Sequence, residues 1–184
     1  MLAQAGIGRG QGGMRQAAIL SLCGLAWGTA ALAADPPPPE RLVRHAGTGL
    51  AVALPPGFTG EVVEPMSGDV QINIAFQGQA ACRVIYAARR GARPAPEALR
   101  TTVDTDAWRA ELGRRLPQGN GAPARRFTAG EAIGGSATTD GAMPMSLYVL
   151  ETPPGRTTLF CQSTESPAPR QRWATLAAGL RPPR

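Results

Sequence analysis

The residues of this chain whose types and spacing could do chemistry are two distant sulfurs, Cys82 and Cys161, and a series of arginine clusters. The arginines come as Arg89, Arg90 and Arg93 in "RRGAR", as Arg114-Arg115, and as Arg125 and Arg126. A guanidinium fork matches the geometry of phosphate and carboxylate, so these clusters are candidate sites for an anionic ligand or an acidic partner protein. The cysteines are too far apart for a C-x-x-C redox pair. With one distant histidine they do not make a zinc set either. In an oxidising compartment an even pair reads as a disulfide. Closing its 78 intervening residues is worth about 4–5 kcal/mol in the chain-entropy model.

The remaining candidates carry less. His45, the single histidine, stands alone in "RHAGTG" and reads as a solvated residue near a mobile end, since a general base needs a partner in reach. Ser136 in "GGSATTDG" misses the G-x-S-x-G nucleophile pattern. Asp104 and Asp106 in "VDTDAW" are two residues apart, and such positions on a helix do not face one another. They suit the positive end of a helix better than a metal, and no metal or other cofactor is expected. "GEAIGGSATTDGA", Gly130 to Ala142, reads as a glycine-rich loop. A small enzyme with its site near this 130–142 loop, using sheet-face residues such as Gln71 and Asn73, is the alternative to a binding role.

Location decides how the cysteines are read. "ILSLCGLAWGTAALAADPPPPE" lies in a run of 19 uncharged residues behind Arg9 and Arg15 and ends in Ala31-Leu32-Ala33. A basic start, a short apolar middle and a small-x-small end make a secretory signal. Residues 1–33 are therefore expected to be cleaved after Ala33, with Ala34 as the alternative, and Met14 offers a second start. Gly24, Gly28, Thr29 and Ser21 make the stretch poor for a span of about 20 apolar residues, and no membrane span is expected to remain. Cys23 leaves with the signal. "GIGRGQGG" lies before any strand and carries no phosphate-loop reading. Residues 34–46 form a proline-rich spacer, and 47–184 a single domain of periplasmic or secreted location.

Beyond residue 33 the chain keeps seventeen arginines against thirteen acids, a formal charge of +4, and it has no lysine anywhere. Arginine without lysine points to codon bias, so arginine counts alone carry little functional meaning. Nucleic acid is not an expected partner, because the charge is moderate and no aromatic residues interleave with it.

The elements that must position these residues follow from periodicity. "GLAVALPPGF" is a short strand stopped by Pro55-Pro56-Gly57, and Phe58–Val63 gives a second. "DVQINIAFQ" alternates apolar with polar residues, which marks a half-buried antiparallel strand, and "ACRVIYAA" completes a hairpin with it. The period then lengthens: Leu99, Val103, Ala107, Trp108, Leu112 and Leu116 lie on one helical face, with a break near Asp104. Strands resume over 126–133, 145–151 and 156–163, with "TPPG" as the last turn. A final helix from Ser166-Pro167 should bury Trp173, Leu176 and Leu180. The fold class is α+β, a mostly antiparallel sheet flanked by two helices in an α/β/α sandwich-like arrangement with one disulfide.

This order of elements resembles the PsbP-like superfamily. The resemblance rests on "GLAVALPPGF", the helix "PEALRTTVDTDAWRAELGRRL", the hairpin "MSLYVLETPPGRTTLFCQST" and the closing helix "RQRWATLAAGL". It implies an accessory or binding protein without catalytic residues. The cysteine pair departs from that superfamily's pattern. The expectation is an exported, non-enzymatic periplasmic domain that binds a protein partner or an anionic ligand.

Overall fold

The computed structural model describes residues 41–64, 68–116, 124–140, 142–165 and 168–184. The alternating segments form the strands β1 (Arg41–Arg44), β2 (Ala51–Leu54), β3 (Phe58–Val63), β4 (Val70–Phe76) and β5 (Gln79–Ala88). Helices α1 (Pro96–Val103) and α2 (Asp106–Arg114) follow, then β6 (Arg125–Ala129), β7 (Ala132–Thr139), β8 (Met145–Thr152) and β9 (Gly155–Gln162). Helix α3 (Arg170–Ala178) and the short β10 (Leu180–Arg181) close the chain. Among the described residues no helix is long and apolar enough to cross a membrane.

Seven strands make one antiparallel sheet in the order β3-β4-β5-β9-β8-β7-β6. It is two meanders, β3-β4-β5 and β6-β7-β8-β9, joined along a single seam where β5 pairs with β9. Tight turns set each register. Gln77 and Gly78 both take positive φ between Phe76 and its partner Gln79, as a two-residue turn of the primed type requires. At the seam Cys82 lies directly opposite Cys161, their Cα atoms 4.1 Å apart, and the two form the expected disulfide.

Each face of the sheet has its own cover. On one face Ile72, Ile74, Val84, Leu150 and Leu159 pack with Leu50, Val52 and Leu54 of β2 and with Trp173, Leu176 and Ala177 of α3. Strand β2 is the middle of a second, three-stranded sheet, β1-β2-β10. On the other face Leu112 and Leu116 pack on Ala137, Met145, Leu147 and Val149, while Leu99 and Val103 pack on Ile133. Fully burying an aliphatic side chain of this kind stabilises by about 1.5–3 kcal/mol. Thus α1 and α2 cover one half of one face, and the small sheet with α3 covers the other face.

Four sequence expectations change. Arg41–Arg44, assigned to the 34–46 spacer, form β1 and pair with β2 from Arg41↔Leu54 to Arg44↔Ala51. Residues 34–40 of the expected spacer and the expected 1–33 signal lie outside the described residues. The single mid-chain helix is two helices, making three rather than two flanking helices. The "TTVDT" break is a cap: Thr105 accepts the backbone N–H of Trp108 through its hydroxyl at 3.2 Å and starts α2. Leu180, expected on the last helix, is buried on β10 beyond Gly179; the Ser166-Pro167 start lies outside the described residues.

The fourth change concerns the Gly130–Ala142 loop, most of which is the inner strand β7. Its glycines answer to space. A Cβ on Gly134 would stand 1.7 Å from the Val149 carbonyl oxygen, and one on Gly135 would stand 2.9 Å from Cζ3 of Trp108 and 3.0 Å from Cδ2 of Leu112. Gly134 therefore lets β7 close onto β8, and Gly135 makes the seat for α2.

Two outcomes follow. Replacing both Cys82 and Cys161 by alanine should lower unfolding free energy by about 2–5 kcal/mol, read from urea melts, with a matching loss when dithiothreitol reduces the native protein. Gly134→Ala should cost ~3 kcal/mol or more because backbone obstructs the methyl group. Gly135→Ala should cost about 1 kcal/mol, because its neighbours there include side-chain tips that can yield. The reverse order in urea melts would show that the fit at β7 is not what limits it.

Candidate functional site

The structure separates the arginines that sequence brought together as candidates. Arg89 follows β5 and is engaged: its Nη2 donates to Glu151 Oε2 at 2.9 Å, while its backbone N–H donates to the Pro154 carbonyl at 2.8 Å. Arg90 and Arg93 beside it are exposed. Arg125 and Arg126 lie on the edge strand β6, four strand spacings away from β5, or roughly 19 Å at ~4.8 Å per spacing. Arg126 reaches Asp104 at 3.5 Å, tying β6 to the α1–α2 junction. Arg114 and Arg115 pair with Glu111, and the Arg114 hydrogen bond and charge hold that carboxyl below its ordinary range. No single site gathers these clusters.

Glu151 explains why Arg89 is committed. Its side chain is only 5 % exposed, at the end of β8, with Arg89 on one oxygen and Arg156 on the other at 2.6 Å. Tyr86 completes the arrangement by donating its hydroxyl to the Pro154 carbonyl at 3.0 Å. Burial pushes the Tyr86 phenol above its usual value, partly offset by the charges of Arg93 and Arg89. These contacts fasten the end of the β5–β9 seam opposite to the disulfide.

Beyond that end the molecule opens into a cleft of about 1030 Å³. One wall is α1, with Leu99 and Arg100; the other is the β1–β2 turn and the C-terminal segment, with Arg44, Leu180, Arg181 and Arg184. The β6–β7 and β8–β9 turns form its floor, presenting Ala132, Ile133 and Pro153. Its lining mixes polar and apolar surface, and four arginines from three separate parts of the chain stand around it. Arg44 and Arg100 are exposed and have no acidic partner among the described residues. Glu97 and Glu131 oppose them, and Glu131 lies 3.9 Å from Arg184. The third acid, Glu151, is already neutralised from behind.

Sequence reasoning missed these residues because each is isolated in the chain. Arg44 and Arg181 become neighbours only because β1 and β10 both pair with β2. Nothing in the order of residues indicates that pairing.

The other candidates resolve as structure. His45 is not solvated as expected; its side chain is 13 % exposed. Nε2 stands 3.1 Å from Glu64 Oε1, and Nδ1 stands 2.9 Å from the Thr48 hydroxyl. Thr, His and Glu in a row suggest a nucleophile relay, but Thr48 is tied into the same tight turn as His45, and Glu64 reaches the imidazole from just beyond β3. Nδ1 accepts the Thr48 backbone N–H at 3.1 Å, and the Thr48 hydroxyl accepts the Leu50 N–H at 3.3 Å. The imidazole serves as a turn lock. Gln71 donates to Asn73 at 2.6 Å on the sheet face that α1 and α2 leave open. Asn73, with Glu61 and Arg83, borders a second cavity of about 780 Å³. Among the described residues no cluster of three or more His, Cys, Asp or Glu could hold a metal ion.

Comparison with protein-family models finds no match for this chain, and comparison with curated proteins finds no relative.

The seam network has a testable asymmetry. Glu151→Gln leaves two partly exposed guanidiniums that water can solvate, and should cost about 1–2 kcal/mol. Arg89→Met with Arg156→Met strands a buried carboxylate and should cost about 3–5 kcal/mol, most of it recovered by adding Glu151→Leu. Urea unfolding of the three variants reads the order directly.

Proposed function

We propose that this chain is an exported, periplasmic, non-enzymatic accessory domain whose site is the arginine-rimmed cleft at the end of the sheet, and that its ligand is an anion. One observation carries the reading: Arg44 and Arg100, exposed and without an acidic partner among the described residues, line the same cleft of about 1030 Å³ from separate elements. Pockets of this size that combine apolar walls with a few charged groups are the usual form of a small-molecule site. The disulfide supports the location, since such bonds persist in oxidising compartments. The order of strands and helices, similar to the PsbP-like superfamily, supports an accessory role.

The enzymatic alternative relied on a glycine-rich loop over residues 130–142 beside sheet-face residues such as Gln71 and Asn73. Those residues are largely an internal strand with paired backbone, so that reading loses the element it needed. Arg89, Arg90, Arg93, Arg125 and Arg126 pass from candidate site to surface and scaffold, and the binding role moves to Arg44, Arg100 and Arg184.

The experiment is a thermal-shift titration with inorganic pyrophosphate at low ionic strength. A ligand that binds only the folded state at one hundred times its Kd adds about 2.7 kcal/mol of stability. The unaltered protein should show a saturable rise in Tm that 0.5 M salt suppresses. Arg44→Glu with Arg100→Glu should abolish the rise, and Arg90→Glu with Arg93→Glu should leave it. Loss in the second pair alone would move the site back to the β5 cluster.

A further inference from the structure

We infer that the part of the sheet face left open by α1 and α2 is the contact surface for a second copy of this chain, across a two-fold axis that runs along β4. This surface is separate from the arginine-rimmed cleft, and the inference does not rest on the anion reading. Alternation sends Ile72 and Ile74 of β4 and Val84 of β5 into the core. It therefore turns Glu61, Val63, Gln71, Asn73, Arg83 and Ile85 to the other face. There α1 and α2 pack on β7 and β8, whereas Glu61, Asn73 and Arg83 are exposed and border the cavity of about 780 Å³.

The strand register arranges these side chains symmetrically about β4. Glu61 lies opposite Asn73, and Asn73 opposite Arg83. In the next row Val63 lies opposite Gln71, and Gln71 opposite Ile85. Glu61 and Arg83 thus stand one strand to either side of Asn73, each at ~4.8 Å. Neither forms an ion pair among the described residues. A two-fold axis along β4 exchanges the two flanks. Each Glu61 then faces Arg83 of the second copy, and each half-buried Val63 faces its half-buried Ile85. The Asn73 side chains meet on the axis; each accepts from Gln71 at 2.6 Å and has its own amide donors for the facing amide. This axis also keeps the strands of the two copies aligned, a common class of sheet-on-sheet packing. The symmetry selects a second copy, because an unrelated partner does not need the acid and the base at equal distances from one strand. Three strands make a narrow patch, so the contact belongs at the small, weak end of specific interfaces.

The test is sedimentation of the purified full chain, disulfide intact, from about 10 μM to about 1 mM, a range that suits a contact of small area. The average mass should rise with concentration toward that of a dimer. Glu61→Arg and Arg83→Glu, each alone, should weaken self-association about tenfold or more, because like charges then face each other. Mixed in equal amounts, the two variants should associate with each other at least as well as the unaltered chain does with itself. One copy then presents two cations to two anions on the other. Combining both changes in one chain should also restore self-association. Arg90→Glu, at an exposed residue outside these rows, should leave it unchanged.

A monomer at every concentration would overturn the inference, and that series is run on the unaltered protein, so it decides even where a variant folds poorly. A dimer that neither charge reversal weakens would show that the copies meet through another face. Loss in both single variants without recovery in their mixture would overturn the two-fold along β4. A second readout is crosslinking: Asn73→Cys places a thiol on the axis. A short bis-maleimide should join it to its counterpart about tenfold faster than it joins Arg90→Cys chains, and equal rates would again exclude this axis.

Discussion

The fold depends on one pairing, β5 against β9. Each meander can assemble from neighbours in sequence, through turns as short as Gln77-Gly78, but the two meanders meet only at this seam. Its partners are separated by 79 residues at the cysteines, so the closure entropy is large and recovered only when the seam forms. The chain fastens the seam at both ends by different means. Cys82 and Cys161 close one end covalently inside the core, while Arg89, Glu151, Arg156 and the Pro154 carbonyl close the other. Gly155 belongs to the second fastening: a Cβ there would stand 2.4 Å from the Ala87 carbonyl oxygen and 2.7 Å from the Tyr86 ring.

The cleft is a consequence of that second fastening. The turn after β8 is held against β5, and the β6–β7 turn is brought level with it by the pairs Ile133↔Glu151 and Ala129↔Ala132. These turns are where the sheet stops. Its covers, α1 on one face and the three-stranded sheet with α3 on the other, extend to the same level and leave a space between them. Gly134 and Gly135 keep this end compact by letting β8 and α2 approach β7. A buried ion network at the floor is weak support for stability in itself, since desolvation offsets most of the attraction. Its value here is positional: it removes one carboxylate from a site rimmed with cations.

Much of the architecture was legible because it is local. Alternation located β2, β3, β4 and β5, and "TTVDT" marked the α1–α2 break through its poor helix formers. The disulfide was legible from the even cysteine count together with the expectation of export. What failed was information that resides in the neighbour. "GEAIGGSATTDGA" carries glycine where another strand's carbonyl and a tryptophan ring arrive, and no property of the segment itself distinguishes that from a flexible loop. Arg41–Arg44 has alternating residues beside a proline run, and only β2 makes it a strand. The site was illegible for the same reason. Paired arginines attract attention in a sequence, yet Arg89 serves Glu151 and Arg126 serves Asp104, whereas Arg44, Arg100 and Arg184 each stand apart from those pairs.

The absence of lysine sharpens what such a cleft can do. Arginine keeps its charge at any physiological pH and has no acceptor. It can hold and orient an anion but cannot take a proton from one. General acid–base chemistry needs a group that exchanges protons within reach of the reacting atoms. The single imidazole of this chain is engaged by Thr48 in its own turn and by Glu64 beyond β3, and the buried carboxylate Glu151 has both oxygens engaged by guanidiniums. The arginines around the cleft can hold an anion, and Glu97 and Glu131 stand among them.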